Sequence, residues 1–173
     1  MSVLLRTGCS KMEPMTHAEL VQRARHWLSN TVKCRFVFCE YGERYGEVPD
    51  AIGWVKEYRN RSITYPSYLI ECKISKADFM GDQGKPFRKN PMLGMGNYRY
   101  YLSEPGVIDP TWLPDQWGLL YVYSRQVKII KDAIFIGWPV IAQNERQILC
   151  SALRRVHIRG DLAKIQDWRT IPK

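Results

Sequence analysis

Two acidic residues and a lysine stand at a spacing that suits phosphodiester chemistry. Asp50 follows Val48-Pro49, and Glu71 comes 21 residues later, followed by Cys72 and then Lys73. Mg²⁺ is usually bound by one or two carboxylates while it keeps several waters. A lysine beside such a site can orient an attacking water or stabilise the charge that develops on the phosphate. The pattern therefore predicts a metal-dependent hydrolytic site.

Alternation along a strand would bring these side chains together. Polar and apolar residues alternate from Ser67 to Ser75 in a way typical of a β-strand. Glu71 and Lys73 then share one face, about 6.6 Å apart along the backbone. A neighbouring strand that carries Asp50 would complete the pocket, and the backbone carbonyl of Cys72 would be a further metal ligand.

Both patterns also have an ordinary structural explanation, which stays open at this point. Pro-Asp pairs are common in turns. A Glu-x-Lys pair on a strand is often a solvated ion pair worth about 0.2 to 1 kcal/mol. The context favours chemistry, because Asp50 follows a hairpin-like turn and Glu71 interrupts an apolar strand.

The elements around these residues predict a mixed α/β fold. Thr16 and Glu19 form a capping box that should begin the first helix. The predicted elements are a helix over Thr16–Ser29, strands over Val32–Glu40, Glu47–Val55 and Ser67–Ser75, a short helix over Lys76–Asp82, strands over Tyr98–Ser103, Gly118–Tyr123 and Val127–Ile130, and a last helix from Ile141. Their order is helix, three strands, helix and strand, and Tyr41–Gly46 is the turn between the first two strands.

Two stretches near the predicted pocket are expected to be loops. Lys56–Pro66 is polar and ends in proline. Gly81–Gly96 contains four glycines, two prolines and three basic residues. We expect this second stretch to be a mobile loop that could meet substrate.

Length and composition predict one globular domain over residues 1–173. The chain is 45% hydrophobic and 25% charged. We expect residues 1–14 to form a flexible N-terminus and residues 160–173 a C-terminal extension. The longest apolar run is about half of the roughly twenty residues that a membrane span needs, and residues 1–19 do not resemble a secretory signal. We therefore expect a cytoplasmic protein without membrane contact.

The charge predicts a polyanionic partner. The 26 Lys and Arg residues exceed the 17 Asp and Glu residues by nine, and basic side chains gain affinity for nucleic acid by releasing counterions. The expected partner is DNA, with RNA as the alternative. The candidate nucleic-acid contacts around the predicted pocket are Arg59, Arg61, Lys76, Lys85, Arg88 and Lys89. For each of them a solvated surface charge is the alternative.

The aromatic residues and the histidines give weaker indications of function. The aromatic residues Tyr98, Tyr100, Tyr101, Trp112 and Trp117 could stack on bases, although such residues more often belong to a core. The three histidines, His17, His26 and His157, are far apart in the sequence, which favours surface or hydrogen-bonded histidines over metal ligands.

The segment from Glu71 to Asp82 resembles a known nuclease superfamily. Together with Pro49-Asp50 it is similar to the PD-(D/E)XK nucleases, and in particular to their MmcB-like DNA-repair branch, whose pattern is E-[IV]-K-x-S-x-x-D-F-x-x-D followed by lysine. The matching residues are Glu71, Lys73, Ser75, Asp78, Phe79 and Asp82, with Lys85 after them and a similar L-P-x-x-x-G-L segment at Leu113–Leu119. The resemblance extends roughly from Leu20 to His157. Pro86 and the stretch up to Gly96 depart from it.

This resemblance implies a fold and a set of site residues. The fold is a restriction-endonuclease-like αβββαβ core with flanking helices. Asp50 and Glu71 would bind one or two Mg²⁺ or Mn²⁺ ions, and Lys73 would act on the attacking water or the transition state. Glu40 would be an outer metal ligand or a structural ion-pair partner. Asp78 and Asp82 would hold Lys73 or Lys85, or would cap and solubilise the short helix.

The implied function is a metal-dependent nuclease that hydrolyses phosphodiester bonds in DNA. It would be directed by structure or by ends in DNA repair or processing, since no recognition helix or finger motif is present in the sequence. Two alternatives stay open: a non-catalytic nucleic-acid-binding module, and a small interaction or inhibitor protein with the same fold. The oligomeric state is left open.

Overall fold

A six-stranded mixed sheet with helices on both faces organises the computed structural model, which describes residues 14–42, 47–59, 61–137 and 139–160. The mixed α/β class expected from the sequence is confirmed, while the restriction-endonuclease-like core and the single domain stay predictions. Most of the expected N-terminal segment, the C-terminal extension and the turn at 43–46 lies outside the described residues. No described helix has the length and apolar character that crossing a membrane requires.

Every predicted helix and strand is present, and the described residues contain one further helix and two further strands. The helices are α1 His17–Trp27, α2 Lys76–Asp82, α3 Pro86–Lys89 and α4 Pro139–Ile158, and the strands are β1 Phe36–Cys39, β2 Ala51–Trp54, β3 Glu57–Arg59, β4 Ser62–Thr64, β5 Ser67–Cys72, β6 Tyr98–Ser103, β7 Trp117–Val122 and β8 Val127–Lys131. A π-helical turn, Leu28–Val32, continues α1, and 3-10 turns occur at Pro91–Leu93 and Pro110–Trp112.

The sheet order is β1-β2-β5-β6-β7-β8. β1, β2 and β5 pair antiparallel, β5, β6 and β7 pair parallel, and β8 returns antiparallel to β7. β3 and β4 form a separate two-stranded hairpin. The carboxyl ends of β5, β6 and β7 therefore lie at one edge of the sheet, where β2 begins.

Helix α1 covers one face of the sheet. The capping box is present, since the Thr16 side chain accepts from the Glu19 backbone and the Glu19 carboxylate accepts from the Thr16 backbone. The buried side of α1, which includes Leu20 and Ala24, packs against a cluster that contains Ile70 of β5. This spacing of buried positions is that of an amphipathic helix.

The opposite face carries a second core and the base of α4. Leu69 and Tyr101 of the sheet pack there with Phe79 of α2 and Ile148 of α4. The buried carboxylate of Glu145 joins α4 to the sheet region, because it accepts hydrogen bonds from the Trp54 indole, the Ser67 hydroxyl and the Gly96 backbone. Burial raises the pKa of Glu145 although these donors oppose the shift.

Both stretches that were predicted as loops contain regular structure, so those two predictions are wrong. Lys56–Pro66 forms the β3–β4 hairpin. Gly81–Gly96 contains the end of α2, all of α3 and a 3-10 turn, and Met95 is buried. Proline suits the first turn of a helix, and Pro86 begins α3 within the stretch that was predicted as a loop.

A glycine in β7 allows the aromatic packing of the first core. A Cβ atom at Gly118 would overlap the ring of Tyr100 and lie 2.7 Å from the backbone nitrogen of Ala133. We predict that Gly118→Ala lowers the free energy of unfolding by about 1–3 kcal/mol, the usual effect of overpacking, in urea denaturation. Gly81→Ala is the matched control: it meets no atom within 4 Å and should stabilise α2 by up to about 1 kcal/mol. Equal effects of both changes would contradict this packing argument.

Candidate active site

The register of β2 and β5 places Asp50 opposite Glu71. Ala51 pairs with Ile70 in an antiparallel ladder, so the residue before Ala51 faces the residue after Ile70. Residues that face each other on antiparallel strands project to the same side of the sheet. Asp50 itself lies in a bend just before β2, and its charge is close enough to Glu71 to raise the pKa of that carboxyl.

Asp50 is held at the edge of the sheet by two contacts. The backbone N–H of Cys72 donates to Asp50 Oδ2 at 2.6 Å, and His17 Nε2 lies 3.3 Å from Asp50 Oδ1. The other ring nitrogen of His17 lies 3.8 Å from the carboxylate of Glu40, which is 64% exposed. Glu40 thus contacts His17, which favours the ion-pair alternative over a role as a metal ligand.

Lys73 lies between two buried carboxylates. Its Nζ is 3.2 Å from Glu71 Oε2 and 3.3 Å from Asp82 Oδ1. The side chains of Lys73 and Glu71 are 5% and 3% exposed. The solvated surface pair that was the structural alternative is therefore wrong, because this pair lies inside the protein.

Arg88 of α3 contacts three carboxylates. Its Nε donates to Asp82 Oδ2 at 2.7 Å, and its Nη1 donates to Glu47 Oε1. Its Nη2 lies 3.2 Å from Glu71 Oε1 without forming a hydrogen bond. The guanidinium also lies 4.6 Å from the ring centre of Trp117, and the side chain is 2% exposed.

These residues form a buried charge cluster with balanced formal charge. Asp82 also binds Lys85 Nζ at 2.7 Å and accepts from the Tyr101 hydroxyl at 2.8 Å. We define the buried charge cluster as the carboxylates of Glu47, Glu71 and Asp82 with the cations of Lys73, Lys85 and Arg88. Buried charges are tolerated when they are paired in this way.

Burial and pairing shift the pKa values in opposite directions within the cluster. Burial raises the pKa of Glu71 to about 7, although Arg88 and Lys73 oppose the shift. Burial alone would lower the pKa of Lys73, but the neighbouring carboxylates, Glu71 first, outweigh it and raise that pKa. Burial alone would raise the pKa of Asp82, but Arg88, Lys85 and Lys73 together lower it. Lys73 is therefore a fixed cation at neutral pH.

The site offers a divalent cation only some of the ligands that it needs. Asp50 and Glu71 offer the one or two carboxylates that Mg²⁺ usually takes from a protein, and the Cys72 carbonyl lies on the strand beside them. The described ranges contain no group of three or more His, Cys, Asp or Glu side chains suited to a metal ion. The residues thus fit a hydrated Mg²⁺ or Mn²⁺ ion held by two carboxylates, and they do not form a complete protein cage.

Three of the expected nucleic-acid contacts do not lie where the sequence analysis expected them. Arg88 is buried and paired with carboxylates, so it does not present its charge to solvent. Arg61 belongs to the β3–β4 hairpin, which leaves the sheet between Trp54 and Ser67. This is the end of β5 opposite Glu71, roughly 13 Å away along the strand. Arg59 lies in the same hairpin, and its side chain is outside the described part of the chain.

The other basic candidates remain on the surface. Lys85 is 47% exposed although it binds Asp82. Lys76 lies over the ring of Trp112, with 4.1 Å from Nζ to the ring centre, and Lys89 is exposed at the end of α3. These three lysines stay candidates for phosphate contact.

The two acidic residues of α2, Asp78 and Asp82, have different partners. Asp82 holds both Lys73 and Lys85. Asp78 belongs to the N-terminus of α2, where its carboxylate accepts from the Ile74 backbone and its own N–H donates to Ser75. Of the aromatic candidates, Tyr100, Tyr101 and Trp117 are core residues and are not available to stack on bases.

Sequence reasoning missed three members of this site. His17 lies on α1, Glu47 precedes β2 and Tyr101 lies on β6, and only the fold brings them to Asp50 and the cluster. The one local signal was the alternation in β6, which could have placed Tyr101 on the same face as Glu71 through their parallel pairing. Nothing local distinguishes His17 or Glu47 from ordinary surface residues.

Comparisons with known proteins identify a solved structure with a similar fold. No family model matches the chain, and no curated protein matches it. A solved structure described as "SPO1766 protein of unknown function", from Silicibacter pomeroyi, is similar with a TM-score of 0.54 and 20% sequence identity. The match covers 85% of this chain and 93% of the other. At this identity the likeness concerns the fold alone.

The pairing of Asp82 predicts a pH-dependent stability. At pH 7 Asp82→Asn removes a charge that faces three cations, so we expect a loss of about 3 kcal/mol in the free energy of unfolding. The folded-state pKa of Asp82 lies below the unfolded value of about 3.9. Its contribution is therefore complete above that unfolded value and is lost as the pH falls toward the folded-state pKa.

Urea denaturation of the wild type and Asp82→Asn at pH 7 and pH 3 measures this contribution of Asp82 to the free energy of unfolding. The difference between the two proteins should shrink at pH 3. Asp115→Asn, which makes the same change at an exposed position, should stay within about 0.5 kcal/mol of wild type. A difference for Asp82→Asn that is the same at both pH values would contradict the ion-pair assignment.

Proposed function

We propose that this chain is a metal-dependent nuclease that hydrolyses phosphodiester bonds in DNA. The observation that carries the proposal is the clustering of three charged groups: Lys73 lies 3.2 Å from Glu71, and Asp50, at the end of the β2–β5 ladder, is near enough for its charge to act on Glu71. This is the set that the resemblance to PD-(D/E)XK nucleases implied. Its burial beside a sheet edge is what a preorganised hydrolytic site requires.

Lys73 acts as a cation in this proposal. Glu71 and Asp82 hold its ammonium group from two sides and favour its protonated form. A lysine that stays protonated donates hydrogen bonds and stabilises negative charge, and it does not abstract a proton. Its task is therefore to orient the attacking water or to stabilise the charge that develops on the phosphate.

Asp50 and Glu71 would hold the divalent cation, with the Cys72 carbonyl as a further ligand. When bound, Mg²⁺ or Mn²⁺ supplies Lewis-acid polarisation of the phosphate and a bound water of lowered pKa. The N–H of Cys72 fixes one oxygen of Asp50. Asp82 positions Lys73 against Glu71 and is a positioning residue.

The proposed substrate is DNA, and the proposed setting is structure- or end-directed repair in the cytoplasm. The net charge of +9 favours a polyanion. Lys76, Lys85 and Lys89 supply exposed positive charge on α2, on α3 and between them. Phosphate contacts of this kind position a nucleic acid without reading its sequence.

Cleavage assays on linear, nicked and branched DNA and on single-stranded RNA, each with Mg²⁺ or Mn²⁺, test the proposal. The variants are Lys73→Met, Glu71→Gln and Asp50→Asn, which nearly preserve side-chain size. We expect each to lower the cleavage rate about 100-fold or more, the usual loss when a charge-stabilising group is removed. Asp115→Asn is the control and should cut at the wild-type rate. Circular dichroism confirms that each variant is folded, and fluorescence anisotropy confirms that each still binds DNA.

A non-catalytic nucleic-acid-binding module is the second candidate. The observation that favours it is the complete pairing of Glu47, Glu71 and Asp82 with cations of the chain itself. In that case wild type cuts no substrate with either metal, while its affinity for DNA falls steeply with salt. A protein that neither cuts nor binds nucleic acid would point to the interaction or inhibitor alternative. Cleavage that persists in all three variants would contradict the assigned site.

A further inference from the structure

Arg88 occupies the centre of the buried charge cluster. Its guanidinium faces Glu47, Asp82 and Glu71 from one side chain, and Trp117 covers it. Arg88 comes from α3, a short helix in the stretch where the sequence predicted a loop. The chain therefore inserts a permanent positive charge directly beside the carboxylate that the proposed function assigns to the metal.

The three contacts of Arg88 differ in quality. Asp82 and Glu47 accept hydrogen bonds from Nε and Nη1. Glu71 lies 3.2 Å from Nη2, but the geometry does not give a hydrogen bond. Charge-assisted hydrogen bonds are stronger than an ion pair without one. Glu71 is thus the carboxylate that Arg88 holds least firmly.

The charge balance around Glu71 suits one divalent cation better without Arg88 than with it. Three carboxylates of the cluster face three cations, and Asp50 adds one further negative charge close to Glu71. Without Arg88, two negative charges would lack a counter-charge, which equals the charge of one Mg²⁺ or Mn²⁺ ion. With Arg88 in place, half of that negative charge is already balanced.

We propose that Arg88 is an internal counter-cation that competes with the divalent metal ion for Glu71. This inference rests on the proposed function, since it concerns the same metal ligand. Metal binding requires Glu71 Oε1 to leave the guanidinium, while Asp82 and Glu47 keep Arg88 in position. Arg88 therefore lowers the metal affinity of the site and holds Glu71 in place when no metal is bound. It is a positioning residue.

Calorimetric titration with Mn²⁺ alone, without nucleic acid, tests the competition. Arg88→Gln removes the charge and keeps a hydrogen-bonding side chain for Asp82 or Glu47. An opposite charge within a few ångströms changes the proton affinity of a carboxylate about tenfold or more, and we expect an effect of similar size on Mn²⁺. Arg88→Gln should bind Mn²⁺ about tenfold more tightly than wild type.

Lys85→Gln is the matched control. It removes one positive charge from the same cluster, but Lys85 contacts Asp82 and is 47% exposed. We expect its Mn²⁺ affinity to stay within about threefold of wild type, because exposed charges are screened. The double variant Glu71→Gln/Arg88→Gln should not show the tighter Mn²⁺ binding of Arg88→Gln, because it lacks the Glu71 carboxylate for which Arg88 and the metal compete.

Arg88→Lys keeps the competition testable if Arg88→Gln does not fold. A lysine keeps the charge but lacks the planar fork that reaches three carboxylates, so Arg88→Lys should also bind Mn²⁺ more tightly than wild type, by a smaller factor. Unchanged or weaker Mn²⁺ binding in the folded Arg88 variants would overturn the competition.

The outcomes separate this inference from the proposed function. If wild type cuts DNA and the Arg88 variants show unchanged metal affinity, the competition is wrong and the nuclease stands. If the Arg88 variants bind Mn²⁺ more tightly but no protein cuts any substrate, the competition is supported and the nuclease is overturned. If neither wild type nor variants bind Mn²⁺, both are overturned.

Discussion

The central physical constraint in this protein is the burial of three carboxylates beside the sheet. Moving an ion out of water costs several kcal/mol, and only close, well-directed counter-charges offset this. The cations that meet Glu71 and Asp82 come from different elements: Lys73 follows β5, Lys85 precedes α3, and Arg88 lies within it. The positions of α2 and α3 against the sheet therefore depend on the cluster. Replacing a buried partner therefore changes the charge balance of the whole cluster.

Much of the fold could be predicted from the sequence because its signals are local. Alternation in β5 placed Glu71 and Lys73 on one face, and the capping box at Thr16 marked the start of α1. The pairing of β2 with β5 then brings Asp50 opposite Glu71. Each of these features depends on backbone geometry within a strand, a turn or the first turn of a helix.

The rest of the site depends on contacts that no local pattern contains. Arg88 stands in a stretch rich in glycine and proline, which suggests a mobile loop with a surface charge, but three distant carboxylates draw its side chain inside. The β3–β4 hairpin shows the same difficulty: Arg61 is close to Glu71 in sequence, yet the hairpin leaves the opposite end of the strand. The π-helical turn Leu28–Val32 likewise extends the helical segment beyond Ser29, where the sequence predicted the end of the helix.

Diffraction from crystals soaked in Mn²⁺ tests the central claim most directly, since anomalous scattering locates the ion without any assumption about activity. The account predicts an anomalous peak bonded to the carboxylates of both Asp50 and Glu71, with Lys73 still beside Glu71 and with Arg88 retained by Asp82. A fully occupied Mn²⁺ site elsewhere, with Glu71 still held between Arg88 and Lys73 and no peak near Asp50, would contradict it.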